Sequence, residues 1–487
     1  MANVSYVRKE LKEALKRYTL IRDCLKGQLA IKNKGTTYLP MPSIESDADS
    51  TSKRYAAYLL RAVFYNVTKR TLNGLCGQIF VRDPVVEYPA ELKVVIDNAD
   101  GSGVSLTQLA KAATEYTLGF GRAGLFVDYP SVEGTATKAD LAKGEIRPTL
   151  TVFAPEKIIN WRTTTRGALT LLSLVVLEEC YIAEDDGFEA VEKTRWRVLR
   201  LENDVYTVQL YDLGRNGGQA VAGTKVIPTD AEGKNFSEIP FSFIGALNND
   251  SVVDEPPMYD IASLNIAHYR NSADYEESTF MVGQPTPVFT GLTEDWVTNV
   301  LKGKVMLGAR GAVSLPTGGD AKLLQANPNT MPYEAMQHKE KQMVALGARI
   351  VEQRSVVRTA KEAGMDESTE TSVLSSIAKN VSSAFTWGLQ QAAKFQGADT
   401  TKLSFALNTD FDLAAMTPEQ RRQLISEWQA GAIAWEEMRS NLRKSGIASL
   451  KDDEAQDIIK EELAAIPAVK SAPPTVLTSG SGNGNKK

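Results

Sequence analysis

Three stretches of this 487-residue chain carry residue types at spacings that could do chemistry. The first, Gly119-Phe120-Gly121-Arg122-Ala123-Gly124, has the glycine pattern of a dinucleotide-binding turn. That turn works when a strand leads into it and a helix leaves it, because the helix N-terminus must face the pyrophosphate. Here a helical pattern (LAKAATEYTLGF) comes first and a strand pattern (LFVDY) follows. The order is reversed, so the glycines read as a helix-to-strand turn. The second candidate is the pair of histidines, His268 and His338, one on each of two long helical segments. Antiparallel pairing of those segments could bring the rings together, but a metal ion would need further ligands at helical spacing. His268 has Asn265 and Ser272 nearby, and His338 has Glu334 one turn before it. Packed or solvated helix-face histidines are the simpler reading. The third is the loop at residues 355–366 (SVVRTAKEAGMD), where Arg358 and Lys361 sit among Ala360, Ala363 and Gly364. By itself it is a polar interhelical loop. The acidic runs Asp452-Asp453-Glu454 and Glu184-Asp185-Asp186 read as a helix first turn and a loop tip. A phosphate loop of the GxxxxGK[ST] type is absent from the sequence, which removes nucleotide hydrolysis by that route. The expectation is a protein that is not an enzyme, with no catalytic, cofactor-binding or metal-binding residues.

The elements around these residues are more informative. Residues 258–281, 331–353 and 368–396 have helical patterns, separated by a turn-rich module at 283–330 and by the 355–366 loop. At ~1.5 Å per residue these are rods of about 33–43 Å. A helix pair with a module at its far end is built to hold that module at a distance. The third rod has an apolar stripe through Leu374, Ile377, Ala378, Val381, Ala384, Phe385, Gly388, Leu389 and Ala392, with Gly397 as its stop. Upstream, helices are expected over residues 1–30, 53–72 and 105–118. Gly74 and Gly77 follow the end of the second, and Ser105 with Gln108 forms a capping box on the third. Residues 78–88 read as strand. From 124 to 244 short β-branched and aromatic runs alternate with Gly, Asn, Asp and Pro clusters, a β-rich domain with a loop tip at Asn216-Gly217-Gly218. After the third rod come a strand within 402–412 and helices at 417–431, 433–444 and 451–465. The Pro-, Ser- and Gly-rich residues 467–487 read as disordered.

Composition narrows the class further. Apolar residues make up 43% and charged residues 24%, ordinary values for a globular chain. Its longest apolar run, LTLLSLVVL at 169–177, is strand-length and half of what a membrane span needs. The N-terminal segment is a charged amphipathic helix without the apolar core of a secretion signal. Cys24, Cys76 and Cys180 are odd in number and far apart, which fits a reducing compartment better than a disulfide or zinc framework. A net charge of −5 argues against a free-standing nucleic-acid binder but not against a protein that surrounds DNA without gripping it.

Taken in order, several stretches resemble the portal proteins of tailed bacteriophages, in particular the group first catalogued as a domain of unknown function. They are YLPMP (38–42), NVTKRTLNGLCGQIFVRDP (66–84), LGFGRAGLFVDYP (118–130), EPPMYDIASLNIAHYRNSADYEESTFMVGQPTPVFTG (255–291) and RTAKEAGMDESTETSVLSSIAKNVSSAF (358–385). In the loop, Lys361 adds a positive charge where relatives often read TATEA. The resemblance implies an α+β portal fold with an α/β wing, a long-helix stem, a small α/β clip and a helical crown. On that scheme residues 1–250 are wing, 251–282 the first stem helix, 283–330 the clip and 331–354 the second stem helix. The tunnel loop is 355–367, a long kinked helix with a wing strand fills 368–416, the crown helices 417–466, and the tail 467–487.

The same resemblance implies a homo-oligomeric ring of about twelve copies at one capsid vertex of the virion, assembled in the bacterial host cytoplasm. Double-stranded DNA would pass through it without sequence preference, driven inward by the terminase motor through its large subunit and ejected later. A head–tail adaptor, the major capsid protein and scaffold would be the further partners, and no membrane. About twelve copies at −5 each carry about −60, a wall that repels phosphates instead of trapping them. Channel contacts then fall to loop cations, with Arg358, Lys361 and Arg354 as candidates, while Glu294, Asp295, Lys302 and Lys304 are candidates for the clip interface. Two other functions compete: another connector, adaptor or scaffold component of the virion, and an enzyme of unrecognised type. Adaptors are usually short, and an enzyme would need clustered acids or histidines.

Overall fold

A computed structural model describes residues 3–42, 47–129, 146–214, 220–284, 286–301, 314–325, 329–351, 372–409, 411, 418–444, 448 and 452–465. It is an α+β chain of two units, residues 1–411 and 412–487. In the first unit α1 (Lys9–Lys26) and α2 (Gln28–Asn33) are separated by Gly27, and α3 (Ala48–Arg61) is followed by α4 (Val67–Ile79). A short strand β1 (Val85–Glu87), a helical turn α5 (Lys93–Asp97) and α6 (Leu106–Phe120) lead to the β-rich region.

Three of the expected elements are corrected here. The helix expected over 1–30 starts only at Lys9 and is divided at Gly27 into α1 and α2. The single helix expected over 53–72 is two helices with an extended break, and Gly74 and Gly77 lie inside α4 instead of after its end. Residues 78–88 contribute only the three residues of β1, because α4 runs on to Ile79. The reason for the break is tertiary and appears below. The capping box of α6 is present: Gln108 N–H donates to Ser105 Oγ at 3.3 Å, and Ser105 N–H to Gln108 Oε1 at 2.9 Å.

The glycine-rich motif is the turn from α6 into β2 (Arg122–Asp128). Gly121 ends α6 in the left-handed region with φ +78°, and a Cβ there would lie 2.9 Å from the Glu255 carbonyl oxygen. Gly124 makes room for Phe241, whose Cζ would be 2.4 Å from an added Cβ. The glycines thus serve close packing, with the helix before the strand. Between Gly121 and Gly124, the buried Arg122 guanidinium lies 4.2 Å from the Trp161 ring centroid and 3.7 Å from that of Phe243.

β2 pairs antiparallel with β3 (Thr149–Phe153) on one side and β9 (Phe241–Gly245) on the other. A five-stranded antiparallel meander lies beside this sheet in sequence order: β4 (Ile158–Arg166), β5 (Leu169–Asp185), β6 (Ala190–Glu202), β7 (Val205–Asp212) and β8 (Val221–Val226). β7 and β8 pair antiparallel around the expected loop tip, which itself lies outside the described residues. The long helices follow as α7 (Tyr259–Val282), α8 (Met331–Val351) and α9 (Val373–Gln396), with the strands β10 (Thr286–Thr290) and β11 (Asp320–Leu324) inserted between the first two. β12 (Ser404–Ala406) returns to pair with β1, which ties residues beyond α9 into the N-terminal region. All nine residues of the predicted α9 stripe are buried, and Gly397 caps the helix with φ +67°. Gly388 lets α9 approach β2: an added Cβ would sit 2.9 Å from Leu125 Cδ2. Tyr129 stacks between Phe236 and Phe395, at 4.4 and 5.0 Å between centroids. The second unit contains α10 (Pro418–Gln429), α11 (Trp435–Lys444) and α12 (Asp452–Ala465), close to the three expected helices.

Gly124→Ala should lower unfolding stability by about 1–3 kcal/mol, since the methyl group must displace Phe241 or the β2 backbone. Denaturant melts that coincide with wild type would contradict this packing.

Candidate functional site: two paired helices and their insert

α7 is rooted at one end only. Its buried residues are Ile261, Ala262, Asn265, Ile266, His268, Tyr269, Ser272 and Ala273, and none follows Ala273. The apolar members pack against α1, α3 and α4, while Asn265, His268 and Ser272 form a polar line along the same face. Asn265 Oδ1 accepts from Thr68 N–H at 3.1 Å and Thr68 Oγ1 at 2.9 Å, and its Nδ2 donates to the Tyr65 carbonyl at 2.8 Å. Ser272 Oγ donates to the Val63 carbonyl at 2.7 Å.

The Val63 and Tyr65 carbonyls belong to the break between α3 and α4, and Thr68 to the first turn of α4. A hydrogen bond to a part-buried carbonyl contributes about 0.5–1.5 kcal/mol, so α7 stabilises the unwound stretch by lying against it. Asn66 then caps α4, accepting from Lys69 N–H at 2.9 Å. Further out, Tyr58 Oη donates to Asp274 Oδ1 at 2.6 Å, and Arg61 pairs with Glu277 and lies over the Phe280 ring. These contacts brace the point where α7 leaves the core.

α8 runs antiparallel to α7. His268 faces Glu340, Nε2 to Oε1 at 3.1 Å, and Tyr275 faces Tyr333 with centroids 5.9 Å apart. Going seven residues up one helix corresponds to going seven down the other. The carboxylate can only accept, so Nε2 carries the proton and Nδ1 is left without a partner, as in a neutral ring. Burial lowers the His268 pKa, with the Glu340 hydrogen bond opposing it. The simpler reading of the two histidines holds: His268 is packed, with Glu340 opposite it, and His338 is exposed. Among the described residues no group of three His, Cys, Asp or Glu could hold a metal ion, and no helix is long and apolar enough to cross a membrane.

Of α8, only Met343 and Ile350 are buried, both in its second half. The Val282 end of α7 and the Met331 end of α8 therefore stand clear of the core together, and the insert is mounted there. In the insert β10 and β11 form a two-stranded antiparallel sheet, and a π-helical turn (Trp296–Val300) is anchored by Trp296 Nε1 donating to the Ser314 carbonyl at 3.1 Å. Every residue of β11 is exposed, including Leu323 and Leu324. A two-stranded sheet with an uncovered apolar face is marginal in water by itself.

Of the candidate clip residues, Glu294 and Asp295 are exposed where the chain enters the π-helical turn, and Lys302 and Lys304 lie outside the described residues. The tunnel-loop candidates Arg354, Arg358 and Lys361 also lie outside them. Sequence reading does not single out Tyr58, Arg61, Asn265, Ser272 or Glu340 as a set. The available signal is the spacing of Asn265, His268 and Ser272, three then four residues apart on a face that is otherwise apolar.

Residues 257–396, from just before α7 to the end of α9, match the model of a family described as a domain of unknown function, DUF4055. The resemblance to a group first catalogued in that way is borne out over this region. No curated protein matches the chain. Among solved structures, the virion of a native gene transfer agent particle aligns with a TM-score of 0.40 at 15% identity, covering 88% of this chain and 100% of that one. The neck of the native particle with C12 symmetry aligns at 0.40 and 14% identity over 85% and 98% of the two chains. The neck of the empty particle with C6 symmetry gives 0.41 and 15% over 84% and 96%.

Because burial lowers the His268 pKa in the folded chain, the unfolded chain takes up a proton below about pH 6.5 more readily than the folded chain does. Its contribution to stability is present above that pH and is lost as pH falls. Between about pH 7.5 and pH 5.5, wild type should therefore lose more unfolding free energy than His268→Gln. Parallel pH profiles would show that the folded chain takes up the proton as readily as the unfolded one, which would contradict this account.

Proposed function

We propose that this chain is the ring-forming portal component of a tailed-phage head–tail connector, a passive wall around double-stranded DNA and not an enzyme. The observation that carries the reading is the arrangement of α7 and α8: an antiparallel pair rooted at one end, free at the other, with an apolar-faced insert at the free end. A ring component has a use for such a lever, because side-by-side copies make the helix pairs a channel wall and present the inserts as one collar to a docking partner. The family match over residues 257–396 covers this same assembly of helices and insert.

On this reading the collar meets the packaging motor through its large terminase subunit and later a head–tail adaptor, with the other end of the ring in contact with the capsid. Exposed Leu323, on the sheet face shared with Pro287, Phe289 and Ala321, is suited to burial in such a contact, with Glu294 and Asp295 giving it polarity. The net charge of −5 per copy keeps the wall from binding phosphates, leaving contact with DNA to a few loop cations such as Arg354, Arg358 and Lys361.

Joint reversal, Arg358→Glu with Lys361→Glu, should lower the yield of DNA-filled heads by about tenfold while rings still assemble. Unchanged packaging and genome retention would overturn the channel role of that loop. Heads that fill normally with no copy of this chain present would overturn the portal reading itself.

A further inference from the structure

The five-stranded meander has two features that the stem does not use. One is a ribbon. β4 stops pairing with β5 at Leu177, and β7 stops pairing with β6 at Arg195, but β5 and β6 go on pairing with each other to Asp185 and Ala190. Residues 180–194 thus project past the sheet as a two-stranded arm. Its tip is ordered from within: Asp185 Oδ1 accepts from Gly187 N–H at 2.8 Å, and Asp186 Oδ1 accepts from Phe188 and Glu189 N–H at 2.8 and 2.6 Å. This turn holds Phe188 at 103% relative exposure, with Ile182 and Val191 exposed beside it. From Glu184 to Lys193 the arm has five carboxylates and one lysine, and the lysine is paired with Glu184.

The other feature is a groove. On one face of the meander Ile159, Val176, Trp196 and Val198 make a small apolar cluster separate from the main core, roofed in part by Val4 and Val7 of the N-terminal segment. Beside that roof a 480 Å³ groove stays open, floored by Leu174, Val176 and Val198 and walled by Tyr6. Its two charged lining residues are Arg162 and Arg200, held by the register in one cross-strand row on either side of Leu174. Arg162 makes no ion pair among the described residues, and Arg200 stands 3.7 Å from Glu202.

We infer that the β5–β6 arm of one copy seats Phe188 in this groove on the next copy, with Arg162 and Arg200 receiving the carboxylates around the tip. The arm cannot reach its own groove, because arm and groove floor belong to the same two strands. β5 runs nine residues from Val176 to its end at Asp185, and Phe188 sits in the turn beyond it, so about 30 Å of stiff ribbon separates the tip from the floor it would have to cover. A second copy supplies both halves of the match, an acidic arm with an aromatic tip and a groove of aromatic size between two arginines. Tip and groove are different surfaces, so the contact is head to tail, the kind that closes rings. The preformed turn spares the arm the ordering cost that a flexible loop would meet on docking. This inference deepens the ring reading and rests on it for closure alone.

Two cysteine variants made in a Cys180→Ser background test it, one Phe188→Cys and the other Leu174→Cys, purified singly and as a co-expressed mixture. Under mild oxidation the mixture should give a disulfide-linked dimer that neither variant gives alone. Phe188→Ser in the otherwise native chain should weaken self-association about tenfold with an unchanged circular dichroism spectrum, since the side chain packs against nothing in its own copy. If wild type forms rings but the mixture does not cross-link, or Phe188→Cys cross-links to itself, the arm contact is wrong and the ring stands. If wild type remains monomeric at all concentrations and nothing cross-links, the arm contact and the ring reading fall together.

Discussion

The structure depends on how one helix is anchored. α7 buries a face in which three polar residues alternate with apolar ones, and burying polar groups is unfavourable unless each finds a partner. Asn265 and Ser272 find theirs in backbone that α3 and α4 leave unpaired by parting between Arg61 and Val67. Each side of the interface therefore satisfies a need of the other. Helix α7 requires the break, and the break requires α7. This reciprocity sets the direction in which α7 leaves the core, and α8 inherits that direction by pairing along it through Glu340 and Tyr333. The insert then has a defined place in space although it contributes nothing to the core.

Elements written in local periodicity are legible in the residues themselves. The stripe of α9, the capping box of α6, the long pair of helices and the reversed order of the glycine-rich turn all follow from spacing alone, and all are found in place. The corrections at 53–72 and 78–88 have one cause. A helical pattern from 53 to 72 contains no local instruction to break at Ala62, because the instruction comes from Asn265 and Ser272, some two hundred residues away. Likewise, residues 78–88 favour strand locally, yet the burial of Leu75, Cys76 and Ile79 carries α4 through the first of them. The long helices α7 and α8 can be read from their patterns, whereas His268 meeting Glu340 cannot, since interhelical register leaves no trace in composition. The arm of β5 and β6 shows in the sequence only as strands around an acidic tip; that it outruns its neighbours depends on pairing register.

The buried cysteines and the buried arginine of the β-rich region are given over to packing. Burial pushes the Cys24 and Cys76 thiols up to about 12, away from nucleophilic use. The guanidinium of Arg122 sits between two aromatic rings instead of in an open cleft. What the molecule offers outward is architecture: exposed apolar strand in the insert, an exposed aromatic on an arm, and an unfilled groove between arginines. Surfaces of that kind are completed by other chains.

Electron microscopy of the purified full-length protein tests the central claim most directly. The account predicts closed rings with an axial hole, in which the wall around the hole is built from the α7–α8 pairs and the inserts protrude together at one end. Particles that remain single compact molecules, or rings whose holes are lined by the β-rich region with the helix pairs outermost, would contradict it.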